Sequence, residues 1–241
     1  MKRIVLFFAM IAALAAPFAT ATEKPLIIST IKPVHAIVNA IAGDTTESVQ
    51  MVPDYASPHH YSLKPSDLRR LAKATLVFRI DPKMEVQLNK SLTTVDQDKL
   101  IVLSQAKGIE LLKAGHSHDE SAHFDESHDE HDTNEAHDDH EEDDKHEDHA
   151  NHEEHSDSGL DDEEKDYHLW LDPQNAIAMA DTIRDALIKA LPDNKTQYEA
   201  NTKKLKDAIQ LADTEIAEQL APLVNQPYLV MHDAWQYFTE H

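Results

Sequence analysis

Eleven of the chain's seventeen histidines are crowded together, at His116, His118, His123, His128, His131, His137, His140, His146, His149, His152 and His155. Around them, from Gly115 to Asp166, stand 24 Asp and Glu residues and two lysines, a net of −22 in a chain whose total is −23. The acidity therefore belongs to one segment and points to no basic or nucleic-acid partner. Neutral imidazole is the commonest biological ligand for borderline-soft divalent ions, and zinc accepts both imidazole nitrogen and carboxylate oxygen. Many of these histidines recur three apart, as in His128 and His131 or His137 and His140, so two rings can reach one ion from a helical or merely turned backbone. The chain has no cysteine, which disfavours copper(I) and iron–sulfur clusters and leaves zinc first, with nickel and cobalt behind. An acidic linker alone has no need of so many imidazoles. With Phe124 and Leu160 nearly alone as large apolar residues, the segment buries too little to offset its ordering entropy, and it is expected to be a disordered, lower-affinity metal-binding loop.

Six histidines lie elsewhere: His35, His59, His60, His168, His232 and His241. His59 and His60 fall in a loop between a strand and the helix that opens at Pro65. His168 precedes a helix N-cap at Asp172, and His232 follows the apolar run from Tyr228 to Met231. Open α/β sheets gather ligands at the carboxyl ends of their strands, so histidines from these three positions, the His59–His60 pair, His168 and His232, can meet over one ion. A fourth position then remains for a carboxylate or for water. Taken singly, a strand-end histidine is more often a hydrogen-bonded structural residue. His35 reads as structural or surface, and His241 carries no weight. Asp172 and Asp233, beside the proposed ligands, are the candidates to orient their imidazoles.

The elements that must position these residues alternate. Met1-Lys2-Arg3, the apolar run from Ile4 to Ala16 and Ala19-Thr20-Ala21 read as an export signal over residues 1–21, an uncleaved anchor being the alternative. Strands are expected over Leu26 to Thr30, Glu47 to Val52, Thr75 to Ile80 and Lys99 to Leu103. Helices are expected over Pro33 to Ala42, Pro65 to Lys73 and, more weakly, Met84 to Leu92. After the insert, Leu169 to Leu171 reads as a short apolar strand, and Asp172-Pro173 as N-cap and first turn of a helix to Leu191. A second helix runs from Asn194 to Leu220, long enough for a strut, and Tyr228 to Met231 reads as a fresh strand. The fold class is α/β with a parallel sheet. The expected division is a lobe over 22–191 carrying the insert 115–166, a joining helix over 193–221, and the start of a second, mostly missing lobe at 227–241.

Three stretches carry a resemblance: Ser57-Pro58-His59-His60-Tyr61-Ser62-Leu63-Lys64-Pro65-Ser66-Asp67, His168-Leu169-Trp170-Leu171-Asp172-Pro173 and His232-Asp233-Ala234-Trp235-Gln236-Tyr237-Phe238. They resemble the signature segments of the periplasmic zinc-uptake binding proteins, and the acidic His-rich insert sits where that family carries one. The resemblance implies two parallel-sheet lobes joined by one long rigid helix, with Zn²⁺ held in the cleft by His59, His168 and His232. It further implies a monomer in the periplasm that delivers zinc to an ABC permease in the inner membrane, powered by a cytoplasmic ATPase, and no catalysis. The chain departs from the family pattern at Pro58, where an acidic residue is frequent, and in lacking a late acidic ligand, which leaves the fourth position to His60 or to water. The alternatives are a zinc buffer acting through the insert, a manganese- or iron-binding sibling, and a hydrolytic zinc enzyme. The last lacks an HExxH motif and a general base beside the histidines.

Overall fold

The computed structural model describes residues 23–114, 165–224, 226–230 and 232–241. The proposed export signal and the histidines from His116 to His155 lie outside the described residues. Those described divide between one compact unit, formed by the chain up to Leu112 and from Asp166 onward, and a second unit from Lys113 to Lys165. In the second unit an antiparallel bridge pairs Lys113 with Lys165.

Four short strands make a parallel sheet: β1 (Leu26–Ser29), β2 (Glu47–Gln50), β3 (Leu76–Arg79) and β4 (Leu100–Val102), in the order β2-β1-β3-β4. β1 pairs with both β2 and β3, setting Ile28 opposite Val49 on one side and Val77 on the other. A parallel central strand is covered on both faces, which is why Ile27, Ile28, Val77 and Phe78 form an almost unbroken buried apolar run.

Helices supply the cover. α1 (Lys32–Ala42) carries Pro33 in its first turn and buries Val34, Ile37, Val38 and Ile41 at helical spacing. Each of those side chains contributes roughly 1.5–3 kcal/mol by leaving water. α1 stops at Gly43, whose φ of 55° lies in the left-handed region that other residues avoid. α2 (Pro65–Leu71) follows the His59 loop, and its Asp67 carboxylate accepts from the Lys64 backbone N–H at 2.9 Å. The helix expected over Met84 to Leu92 is a single turn, α3 (Asn89–Leu92), preceded by a tight 3₁₀ turn. There the Glu85 side chain turns inward to Arg79 instead of lying on a helix face.

After the insert the expected strand at Leu169–Leu171 is a 3₁₀ turn. His168 is tied back to Asp166 by two hydrogen bonds, which curls the chain before it can extend. Asp172 then caps α4 (Pro173–Ala190), its Oδ1 accepting from the Asn175 N–H at 2.7 Å. α4 buries Met179, Ala180, Ile183 and Leu187. α5 (Lys195–Leu220) is about 39 Å long at 1.5 Å per residue. Its first turns are anchored: Tyr198 meets the Thr45 hydroxyl at 2.8 Å, and Asn201 donates to the Ile41 carbonyl at 2.9 Å. Its later turns leave Leu211 and Ile216 exposed. The strand expected from Tyr228 is absent over Tyr228–Val230, which are exposed and have no sheet neighbour to complete their hydrogen bonding. A short helix, α6 (Gln236–Glu240), buries Tyr237 against the body of the fold.

Candidate metal centre

His59 sits in the loop that leaves the carboxyl end of β2. Turns at Pro53–Ala56 and Ser57–His60 fold this loop, and the His59 N–H reaches the Ser57 hydroxyl at 3.3 Å. Its half-buried ring lies beside the backbone of Met84. Met84 belongs to a loop held from beneath by Arg79. That buried guanidinium meets Glu85 Oε2 at 3.1 Å and also donates to the Asp81 and Glu85 carbonyls and to Asn89 Oδ1. Burial pushes the Glu85 carboxyl up from its ordinary value. The end of the interior strand β3 thus supplies, through Arg79, a braced loop beside the first imidazole.

His168 comes from the turn before α4. One Asp166 oxygen accepts from both the His168 backbone N–H, at 2.8 Å, and the imidazole Nδ1, at 2.7 Å. Trp170 packs edge-on to the ring with centroids 5.4 Å apart. His232 stands on the bend before α6, where the Ala234 N–H donates to its carbonyl at 3.0 Å. It is the most exposed of the three.

These three rings converge. Centroids lie 5.8 Å apart for His59 and His168, 5.8 Å for His59 and His232, and 5.1 Å for His168 and His232. One ligand nitrogen from each falls within 4.8 Å of the other two. The His168 and His232 Nε2 atoms are 3.3 Å apart. Two nitrogens each bound at zinc's usual distance on a tetrahedral ion stand roughly 3.3–3.4 Å from one another. The His168–His232 spacing is therefore that of two nitrogens on a shared ion, and a His59 nitrogen lies within 4.8 Å of both. Burial first, then the neighbouring His168 and His232, holds the His59 imidazole below its ordinary value, which favours the neutral, ligating form.

Other sequence-level candidates fall differently. The His60 ring lies 6.3 Å from that of His59, is exposed, and is not part of the converging set. His35 bonds to Asn39 on α1 and His241 to Asp213 on α5. Asp172, one of the two carboxylates expected to orient an imidazole, is committed to capping α4. Asp233 is exposed. The carboxylate that does meet a ligand is Asp166, at the edge of the insert as the sequence delimits it. Its signal is hidden in the acidic run, where it is one of 24 similar residues. The only distinguishing mark is position: two residues before the histidine, close enough for an Asx-type turn.

The family model for the zinc-uptake complex component A, periplasmic, matches residues 27–241. The chain belongs to this family. Among its relatives, the high-affinity zinc uptake system protein ZnuA of Yersinia pestis is 34% identical over 232 residues, covering 95% of this chain and 65% of that protein. The ZnuA of Brucella abortus (strain 2308) is 39% identical over 219 residues, covering 90% of this chain and 65% of that one. The chain thus spans about 65% of the length of these curated relatives. In fold, it matches the crystal structure of Zn(II)-bound AdcA from Streptococcus pneumoniae with a TM-score of 0.62 at 23% identity, over 90% of this chain and 37% of that one. The resemblance drawn from the three motif stretches holds at the level of the family, and so does the parallel α/β fold expected of it.

Proposed function

We propose that the protein captures Zn²⁺ in the periplasm with His59, His168 and His232 and delivers it to an ABC-type permease of the inner membrane, working with its cytoplasmic ATPase. The observation that carries this reading is the convergence of three imidazoles from three separate segments, one ligand nitrogen of each within 4.8 Å of the others and the His168–His232 pair at 3.3 Å. All-nitrogen ligation favours zinc over manganese, a harder ion that prefers oxygen. In this reading residues 1–21 direct export, residues 22–191 make the metal-binding lobe, and residues 193–221 form a joining helix. Among the described residues no helix is long and apolar enough to cross a membrane. The function is binding, with water or His60 completing the zinc shell.

The histidines of the insert then act as a second, weaker population that collects zinc and raises its local concentration near the tight site, the tether setting the effective concentration. Titration calorimetry of a variant lacking residues 116–158 tests the assignment. One tight zinc site is expected to remain, to resist competition by manganese, and to be lost in His59→Ala, His168→Ala or His232→Ala of the same background. Loss of all tight binding on removal of the insert would instead make the protein a zinc buffer acting through that segment.

A further inference from the structure

We infer that Asp166 is the positioning residue that makes His168 a competent ligand. The inference rests on the reading that His59, His168 and His232 share a zinc ion, and it deepens that reading. Asp166 is fixed on every side. Its backbone N–H donates to the Leu112 carbonyl at 3.0 Å, and its carbonyl accepts from the Tyr237 hydroxyl at 2.6 Å. That hydroxyl accepts in turn from the Leu112 N–H at 3.0 Å. Tyr237 is buried five residues beyond His232, so a single phenol fastens the segment of one ligand to the carboxylate that serves another.

With its backbone so held, the Asp166 side chain accepts from both the backbone N–H and the ring Nδ1 of His168. A carboxylate oxygen only accepts, so Nδ1 carries the ring proton and Nε2 keeps its lone pair. Nε2 is the atom that stands 3.3 Å from His232 Nε2. Asp166 therefore chooses the tautomer, aims the lone pair at the ion, and brings negative charge next to a ligand set that otherwise carries none. An imidazole of the other tautomer would present an N–H to the metal.

The test is made on the full-length chain. Two-bond proton–nitrogen correlation spectra of the metal-free protein at mildly alkaline pH, with the His168 signals assigned through His168→Gln, report the tautomer directly. The Nδ1–H form is expected for His168, and finding the Nε2–H form in the unaltered protein overturns the inference without any variant. Asp166→Asn keeps the backbone bonds to Leu112 and Tyr237, so its thermal midpoint should stay near that of the parent. Its amide can donate to Nδ1, so His168 should shift toward the Nε2–H form, and competition with a chromophoric chelator should show the tightest zinc site weakened about 10- to 100-fold. Asp166→Glu, which retains an accept-only group, should recover part of that loss. Unchanged tautomer and unchanged affinity in Asp166→Asn, alongside loss of the site in His168→Ala, would overturn the role of Asp166 alone. An unchanged tight site in His168→Ala would overturn the three-histidine reading with it.

Discussion

His168 is gripped at both ends, its Nδ1 by Asp166 and its ring by the edge of Trp170, whereas His232 stands exposed on a bend. His59 is half-buried, and the fold moves its titration downward. Its value lies below the ordinary 6.5 because burial, then two nearby imidazoles, penalise the cation. In the window below 6.5 the unfolded chain binds a proton that folded His59 refuses. The stability this residue contributes is therefore complete above that window and is lost as the pH falls through it. Urea unfolding of the metal-free protein at pH 5 and pH 7.5 is expected to show lower stability at pH 5, with a smaller difference in His59→Asn. Zinc binding follows the same direction, since each imidazole must be unprotonated to ligate, and calorimetry should show affinity falling as the solution is acidified.

The elements deliver these residues because each is terminated where the site needs a loop. β2 ends at Gln50 and α2 starts at Pro65, which leaves the His59 loop between them. β3 ends at Arg79, whose side chain then organises the loop containing Met84 through Glu85 and Asn89. The pair is almost wholly buried, with side-chain exposures of 3% and 0%. Removing only one partner strands the other charge. Arg79→Leu is therefore expected to lower the unfolding free energy by about 3–5 kcal/mol in denaturant titration, a typical cost of breaking a buried pair, and Arg79→Leu with Glu85→Gln to recover part of it. Exposed ion pairs such as Lys203–Asp207 on α5 carry no comparable weight.

For the whole molecule, the three converging histidines come from segments that are distant in sequence, so zinc held there is expected to read out on the body of the fold. The chain has two tryptophans, Trp170 and Trp235, each within three residues of a proposed ligand. Trp170 touches the His168 ring, and Trp235 meets Phe238 edge-on at 5.9 Å. Stoichiometric zinc is expected to change tryptophan emission, and the change should survive deletion of residues 116–158. An emission spectrum indifferent to zinc in the deleted protein would count against a site on the body of the fold. The Lys113–Lys165 bridge makes that deletion a mild one, since the ends of the insert are already paired.

Much of the chain was legible from its residues. Alternating apolar runs, Pro33, Pro65, the Asp172 cap and Gly43 mark elements through local chemistry alone, and four strands and the two long helices follow from them. Histidine type and context pointed to the His59–His60 pair, His168 and His232, and the motif resemblance chose His59 from the pair. Short segments were less legible: Leu169–Leu171 and Tyr228–Val230 have the apolar character of strands, but whether such a run extends depends on a partner strand and on how its ends are tied. Only the tertiary structure brings His168 and His232, 64 positions apart, to 3.3 Å. It also lifts Asp166 out of a run of equivalent carboxylates. Distance between remote residues is set by sheet order, loop closure and burial, and none of these is written at any single position.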